Sequence, residues 1–199
     1  MAQINKPKDY DTTEAYSEHK QLPKGGYVLK VLGSEVKATK NGKGQYIQLG
    51  CDIVEGDFKD FYAQDWKAQT NEDKRWRCNY YLNIPKDDGS ETDSYTKRRF
   101  KTVMLAFEAS NEGYHWNWDS DSLKGKLIGG LFNIREYTNQ KGQIRQATNL
   151  AQLTNVDAIH NGTFKLPDDD LIDQGGIKED PVNDFMAIPD SDADALPFA

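Results

Sequence analysis

Cysteine, histidine and long apolar runs are all scarce in this sequence. Cys51 and Cys78 are its only cysteines, and each lies inside an apolar, strand-like stretch, where we expect a reduced and buried thiol. The histidines, His19, His115 and His160, have no zinc-ligand spacing to one another or to a cysteine. No apolar run approaches the roughly 20 residues that cross a bilayer, and the first residues lack the apolar core of a signal peptide. The sequence therefore predicts a cytoplasmic protein without a membrane partner, a metal or a cofactor.

Catalytic motifs are missing as well. The chain has no phosphate-binding glycine loop, no histidine pair at zinc spacing and no Gly-x-Ser-x-Gly elbow. Acidic pairs such as Asp87 with Asp88 and Asp119 with Asp121 lie in polar, loop-like segments, where carboxylates are usually solvated. We therefore predict a protein that is not an enzyme. A metal-dependent nuclease is the alternative from the enzyme class, and no residue pattern supports it.

Acidic residues are concentrated at one end of the chain. The net charge is -7, but residues 167–199 alone hold ten acidic side chains against one lysine, whereas residues 1–166 hold 24 basic and 22 acidic groups. The body is therefore mildly basic and the end strongly acidic. Residues 162–199 are also poor in periodic apolar positions, which predicts a flexible acidic tail. Residues 1–24 read as a polar leader that ends in a breaker cluster.

The intervening residues, 25–161, show strand and helix periodicities. Alternation and turn residues predict two hairpins, one with strands 27–37 and 45–53 around the turn 41–44, the other with strands 127–137 and 143–153 around the turn 139–142. We predict a third strand over 58–66, a further strand or inserted hairpin arm over 75–83, and a helix over 94–110 capped by Asp93 or Ser94. This order predicts a mainly β, OB-like five-stranded barrel with its helix between strands three and four.

Basic and aromatic residues fall on the outward side of the predicted strands and in their turns. A barrel of this kind binds single-stranded nucleic acid by stacking bases on aromatic rings and tracking phosphates with cations. The candidate binding residues are Lys37, Lys40, Lys43, Tyr46, Arg75, Arg77, Tyr81, Arg135, Tyr137, Lys141 and Arg145. Two other interpretations stay open: lysines on turns and edge strands also serve solubility, and an outward aromatic becomes a core residue if the register shifts.

The first turns of the predicted helix carry four basic residues, Lys97, Arg98, Arg99 and Lys101. Positive charge near a helix N-terminus opposes the helix dipole, and a bound anion would relieve that conflict. A solvated helix face is the simpler interpretation.

The last residues resemble a known recruitment signal. Asp190, Asp192 and Asp194 precede an apolar hook formed by Leu196, Pro197 and Phe198. This resembles the C-terminal tip of bacterial and phage single-stranded DNA-binding proteins, which implies a tail that recruits replication or recombination proteins and competes with DNA. Ala199 departs from the pattern, because in that family the final phenylalanine carries the terminal carboxylate that partners bind.

The body resembles a group of phage replication-module proteins. The similarity lies in residues 22–27, 42–44, 50–58 and 123–127, and it implies a phage-encoded single-stranded DNA-binding protein in a bacterial cytoplasm. The hypothesis is therefore largely sequence-independent binding of single-stranded DNA in phage replication or recombination. The alternative is a recombination mediator or annealing factor that acts mainly through a protein partner. A homo-oligomer is also compatible with the free sheet edges of such a domain.

Overall fold

A computed structural model describes residues 5–12, 21–70, 72–139 and 141–172. The chain is mainly β, with a five-stranded antiparallel sheet. The strands are β1 (Gly25–Ala38), β2 (Gln45–Ile53), β3 (Asn79–Asn83), β4 (Leu127–Thr138) and β5 (Ile144–Thr154). The helices are α1 (Phe61–Ala68), α2 (Glu91–Ser110) and α3 (Val156–Asn161), with a 3-10 turn at Ser120–Leu123. In the described ranges no helix is both long and apolar enough to cross a membrane.

β1 is the central strand of a sheet with the order β3-β2-β1-β4-β5. Its first residues pair with β4 and its later residues with β2, overlapping at Leu29 and Lys30. The edge strands β3 and β5 approach each other to within 8 Å between some Cα atoms, but no strand ladder joins these two fully described elements. The predicted mainly β class is confirmed, whereas closure of the sheet into a barrel is not.

The predicted third strand over 58–66 is wrong, because this segment contains helix α1. The helix begins after Asp60, which has a left-handed backbone and makes no side-chain cap. Instead, the carboxylate of Asp52 in β2 accepts hydrogen bonds from the backbone N–H groups of Tyr62 and Ala63, both at 3.0 Å. The helix start is thus capped from a distant strand, which local sequence does not reveal. The third strand is Asn79–Asn83, a shorter form of the predicted arm over 75–83.

Helix α2 lies between β3 and β4 in the chain, as predicted, and Asn111 is its C-cap residue. Its predicted start is wrong by one turn, because Ser90 is the N-cap and its Oγ accepts from Asp93 N–H at 3.1 Å. The Asp93 carboxylate instead accepts from the backbone N–H of Lys86 at 2.7 Å. Asp93 therefore fixes the loop that leads into the helix.

The hydrophobic core lies between the inner face of the sheet and α2. The helix contributes the side chains at the predicted i, i+3, i+4 and i+7 positions, namely Phe100, Val103, Met104 and Phe107, all buried. Cys51 and Cys78 are buried and free, as predicted. Leu22, in the predicted leader, is 2 % exposed and belongs to this core, so the packed chain begins before Gly25.

A segment that follows α3 covers part of the outer face of the sheet. Its Phe164 ring packs so closely on β1 that a Cβ atom at Gly26 would lie 2.6 Å from it. Further along, Asp170 exchanges backbone hydrogen bonds of 2.8 Å with Ile134 and Glu136, on the part of β4 that extends beyond β1. We call residues 163–172 the strap. The remaining residues of the predicted tail, 173–199, lie outside the described residues.

Candidate nucleic-acid interface

Several candidate residues share one face of the sheet across β1, β2 and β3. In the register, Lys37 lies opposite Tyr46, and Tyr46 lies opposite Asn83. Two residues further along β2, Gln48 lies opposite Tyr81. Residues directly opposite in antiparallel strands point to the same face. The structure therefore brings Lys37, Tyr46 and Tyr81 together on the face that alternates with the core residues Ile47 and Leu49.

The two tyrosines of this face differ in accessibility. Their rings meet edge to face, with 5.7 Å between the centroids. Tyr46 is only 6 % exposed, whereas Tyr81 is half-buried. The predicted outward orientation of Tyr46 thus does not leave its ring open, because Tyr81 packs against it. Tyr46 supports the face, and Tyr81 is the ring of this pair that a base can reach.

Side-chain amides also lie on this face, and the list of candidate residues did not include them. Gln48 Nε2 donates to Asn79 Oδ1 at 3.2 Å, and Asn79 Nδ2 donates to the carbonyl of Trp76 at 2.6 Å. Gln48 is only 5 % exposed, whereas Asn79 is half-buried, so Asn79 is the amide of this pair that can donate to or accept from a ligand. Strand alternation, which places both side chains opposite the core, was the available signal.

The turn between β1 and β2 holds Lys40 and Lys43 at its exposed positions. Asn41 Oδ1 accepts from Lys43 N–H at 3.0 Å and from the Thr39 hydroxyl at 2.8 Å. Gly42 has a φ of 66°, a backbone conformation that favours glycine. The turn is therefore internally hydrogen-bonded and carries a lysine on each side of Asn41 and Gly42. At its base, Lys37 Nζ lies 3.3 Å from the Glu35 carboxylate.

Helix α1 positions the two candidate arginines that precede β3. Arg77 Nη1 lies 3.2 Å from Asp65 Oδ1 on α1, and the Asp65 side chain is 5 % exposed. The backbone of Arg75 forms two hydrogen bonds with the side chain of Gln69. The Arg75 backbone N–H donates to Gln69 Oε1 at 2.8 Å, and the Arg75 carbonyl accepts from Gln69 Nε2 at 2.9 Å. Both arginines are exposed. The segment is thus held both by these contacts to α1 and by hydrogen bonds to β2, where Cys51 N–H donates to the Cys78 carbonyl and the Trp76 indole donates to the Cys51 carbonyl, each at 2.9 Å.

The remaining candidates lie on the hairpin of β4 and β5. Tyr137 is 40 % exposed and lies directly opposite Arg145. Arg145 donates to Gln143 Oε1 at 3.0 Å, and Lys141 is exposed in the connecting turn. Arg135 Nε lies 3.4 Å from Asp170 of the strap. Arg135 therefore already has an acidic partner in this structure.

No protein-family model matches this chain, and no curated protein matches it. The candidate binding residues form two groups. One lies around β2, β3 and the turn 39–44, and the other lies on the hairpin of β4 and β5. In the parts of the chain that the structure describes, no three His, Cys, Asp or Glu side chains cluster in a way that could hold a metal ion.

The strap brings acidic groups to the second group. Lys24 Nζ lies 2.7 Å from Asp169 Oδ2, and the Ile134 N–H donates to Asp169 Oδ1 at 3.0 Å. These two donors hold the pKa of Asp169 below its usual value. The strap is thus fixed to β4 by backbone pairing and by ion pairs from Lys24 and Arg135. Lys24 was not among the candidates, since sequence reasoning assigned it to the leader.

Proposed function

We propose that this protein binds single-stranded DNA largely independently of sequence and without catalysing a reaction. The observation that supports this most directly is the shared face of Lys37, Tyr46 and Tyr81, next to a turn that exposes Lys40 and Lys43. Rings and cations on one surface are what a flexible strand requires, because bases stack on the rings while phosphates follow the cations. The biological setting of this proposal is phage DNA replication or recombination in a bacterial cell.

The order of elements is consistent with an OB-like barrel as the binding scaffold. In such barrels the second and third strands, together with the loops after the first and fourth strands, bind oligonucleotides. The corresponding loops here are residues 39–44 and 139–143, and the candidate lysines lie in both. The close approach of β3 and β5 favours a nearly closed sheet. We propose an OB-like barrel on this basis.

The acidic end of the chain is proposed to recruit partner proteins. The residues concerned lie outside the described residues: Asp190, Asp192 and Asp194, followed by the apolar hook of Leu196, Pro197 and Phe198. Acidic residues before an apolar hook suit a hydrophobic pocket with a basic rim on a replication or recombination protein.

The proposal is tested by fluorescence anisotropy with a labelled oligothymidine of about 30 nucleotides, longer than the ~4 to 16 nucleotides that one OB fold covers. We expect binding that weakens steeply as salt rises, because bound cations release counterions from the phosphates. A duplex competitor should displace the oligomer poorly. Absence of binding at low salt would refute the proposed function.

Matched variants locate the interface. Tyr137→Ala should weaken binding by about 1 to 3 kcal/mol, the range for loss of one stacked base. Its control is Tyr95→Ala on α2, since the two tyrosines are 40 % and 49 % exposed. Lys40→Glu with Lys43→Glu should weaken binding and reduce its salt dependence, in contrast to Lys59→Glu with Lys67→Glu near α1. Equal effects of the test and control pairs would show that the assigned faces are wrong.

A further inference from the structure

Trp118 combines extreme exposure with an unfavourable backbone conformation. Its side chain is 75 % exposed, more than that of any other large hydrophobic residue in the described ranges. Its φ is 67°, in the left-handed region, where a bulky side chain is a genuine outlier. Residues in such conformations persist only where the surrounding structure enforces them, and they concentrate at functional sites. Neither burial nor backbone preference accounts for a tryptophan at this position.

The Trp118 indole contacts two other aromatic rings, one buried and one partly buried. The indole lies nearly parallel to the Phe100 ring, with an interplanar angle of 10° and a centroid distance of 5.8 Å. Phe100 is 4 % exposed and belongs to the core. The Trp116 ring contacts both, at centroid distances of 6.0 Å from Phe100 and 6.1 Å from Trp118. The high exposure of Trp118 leaves much of its indole surface open to solvent.

The loop that carries Trp118 is fixed on both sides of it. Before it, the Trp116 N–H donates to Glu108 Oε1 on α2 at 2.9 Å. After it, Asp119 Oδ1 accepts from Asp121 N–H at 3.0 Å and caps the 3-10 turn. These bonds hold the backbone on both sides of Trp118, and the ring contacts with Phe100 and Trp116 set the orientation of its indole.

A cationic side chain lies on the flank of α2 that this loop crosses. Lys101 follows Phe100 directly, and Lys101, Leu105 and Glu108 occupy positions i, i+4 and i+7 of one helical stripe. Glu108 anchors the loop on that stripe. Lys101 is exposed, and Leu105 is 52 % exposed. Lys101 thus follows, along α2, the residue whose ring Trp118 contacts. An exposed ring and a cation on the helix that it contacts are the two groups that a base and its phosphate require.

We propose that Trp118 is a stacking platform for an unpaired nucleobase, with Lys101 next to the strand's phosphates. This site lies on the α2 side of the molecule and adds to the contacts of the sheet face. It rests on the proposed function, because it extends the same bound strand. The ligand that this site would bind is a flat nucleobase joined to a negatively charged phosphate. We expect no preference for a particular base.

The test compares three full-length variants in binding to the oligothymidine of about 30 nucleotides. Trp118→Asn removes the ring while suiting a left-handed backbone, and we expect affinity to fall by about 5-fold to 100-fold. Trp118→Phe keeps a ring and should retain affinity within about 3-fold of the wild type, on the same stacking argument. Tyr95→Ala removes another exposed α2 ring and should bind like the wild type. Melting temperatures of all variants separate loss of binding from loss of folding.

Intrinsic fluorescence gives a second, direct readout. The chain has four tryptophans, and Trp118 is the only one of them among the exposed large hydrophobic residues of the described ranges. Stacking of a base on Trp118 should quench part of the emission when oligothymidine is added. In Trp118→Phe that part of the quenching should disappear while binding persists.

The outcomes separate this proposal from the proposed function. If the wild type binds the oligomer but Trp118→Asn binds equally well, the stacking site is refuted and single-strand binding stands. If the wild type binds nothing, the proposed function fails, and the stacking site fails with it. Tighter binding by Trp118→Asn would also refute the stacking site, and would indicate that the indole holds a segment of the protein that competes with DNA. Unchanged emission on saturation with oligomer refutes it even if Trp118→Asn fails to fold.

Discussion

Removal of the Asp52 carboxylate should destabilise the protein by disconnecting α1 from β2. Asp52 is 4 % exposed, and it accepts three backbone hydrogen bonds, from Ile53 at 2.8 Å and from Tyr62 and Ala63 at 3.0 Å. Tyr62 and Ala63 belong to the first turn of the helix, whose N–H groups have no partners within the helix. Asp52→Ala would therefore leave several amide donors unsatisfied at a largely buried site.

The size of the effect follows from these contacts. Loss of a helix cap costs about 0.5 to 2 kcal/mol, and each buried donor left without a partner costs about 1 to 3 kcal/mol. Water can reach part of this site after truncation, so we expect about 3 kcal/mol for Asp52→Ala. Burial raises the pKa of Asp52, whereas its three backbone hydrogen bonds lower it, so we expect desolvation of the carboxylate to offset part of the energy of these bonds. Asp52→Asn keeps one oxygen acceptor and should cost less than Asp52→Ala.

Urea unfolding followed by circular dichroism measures this free energy directly. A loss of about 3 kcal/mol corresponds to a melting temperature lower by roughly 6 to 12 °C in a domain of this size. Asp57→Ala, an exposed acidic residue in the neighbouring turn, is the control and should stay within about 0.5 kcal/mol of the wild type. A loss below about 1 kcal/mol for Asp52→Ala would refute this account of the cap. Because α1 carries Asp65, the same variant should also weaken the ion pair between Asp65 and Arg77.

The cysteines and the strap give two further predictions. Burial raises the pKa of Cys51 to about 12 and that of Cys78 well above its usual value. Ellman's reagent should therefore leave both thiols unmodified in the native protein and modify both in urea, and rapid native labelling would contradict their burial. Hydrogen bonds from Lys24 and the Ile134 amide lower the pKa of Asp169 in the folded protein. The Asp169 carboxylate therefore contributes fully to strap docking above its unfolded pKa of about 3.9. This contribution is lost as the pH falls through the lower pKa of the folded state. The NMR shifts of strap amides should change in that acidic range in the wild type but not in Asp169→Asn, and equal titrations would refute the ion pair.

The two hairpins could be predicted from sequence because their signals are local. Alternation indicated which residues of β2 and β4 point inward, and the turn glycines Gly42 and Gly142 have positive φ values of 66° and 73°, which their turns require. The segment 58–66 was misassigned because the signal for its helix is the distant carboxylate of Asp52. Closure of the barrel could not be predicted from strand order alone, since it depends on how far the sheet curls.

The candidate site was predictable in orientation but not in accessibility. A period of two places Tyr46 on the outer face, yet nothing local indicates that Tyr81 packs against it. Arg135 looked like a free cation, but its partner Asp170 is far along the chain. Trp118 was not among the candidate residues, because its backbone conformation and its stacking on Phe100 are properties of the folded chain.

The strap changes how the charge asymmetry of the chain should be interpreted. Residues 167–199 hold ten acidic side chains, and Asp169 and Asp170 among them already neutralise Lys24 and Arg135 of the body. A phosphate can reach Arg135 only by competing with Asp170, whose backbone bonds to β4 resist its displacement. Substitution of Arg135 alone would also disturb the strap, so its effect on DNA binding would mix two causes. Lys141 and Arg145 lie on the same hairpin away from these ion pairs, and they are therefore the cleaner test of whether that hairpin contacts DNA.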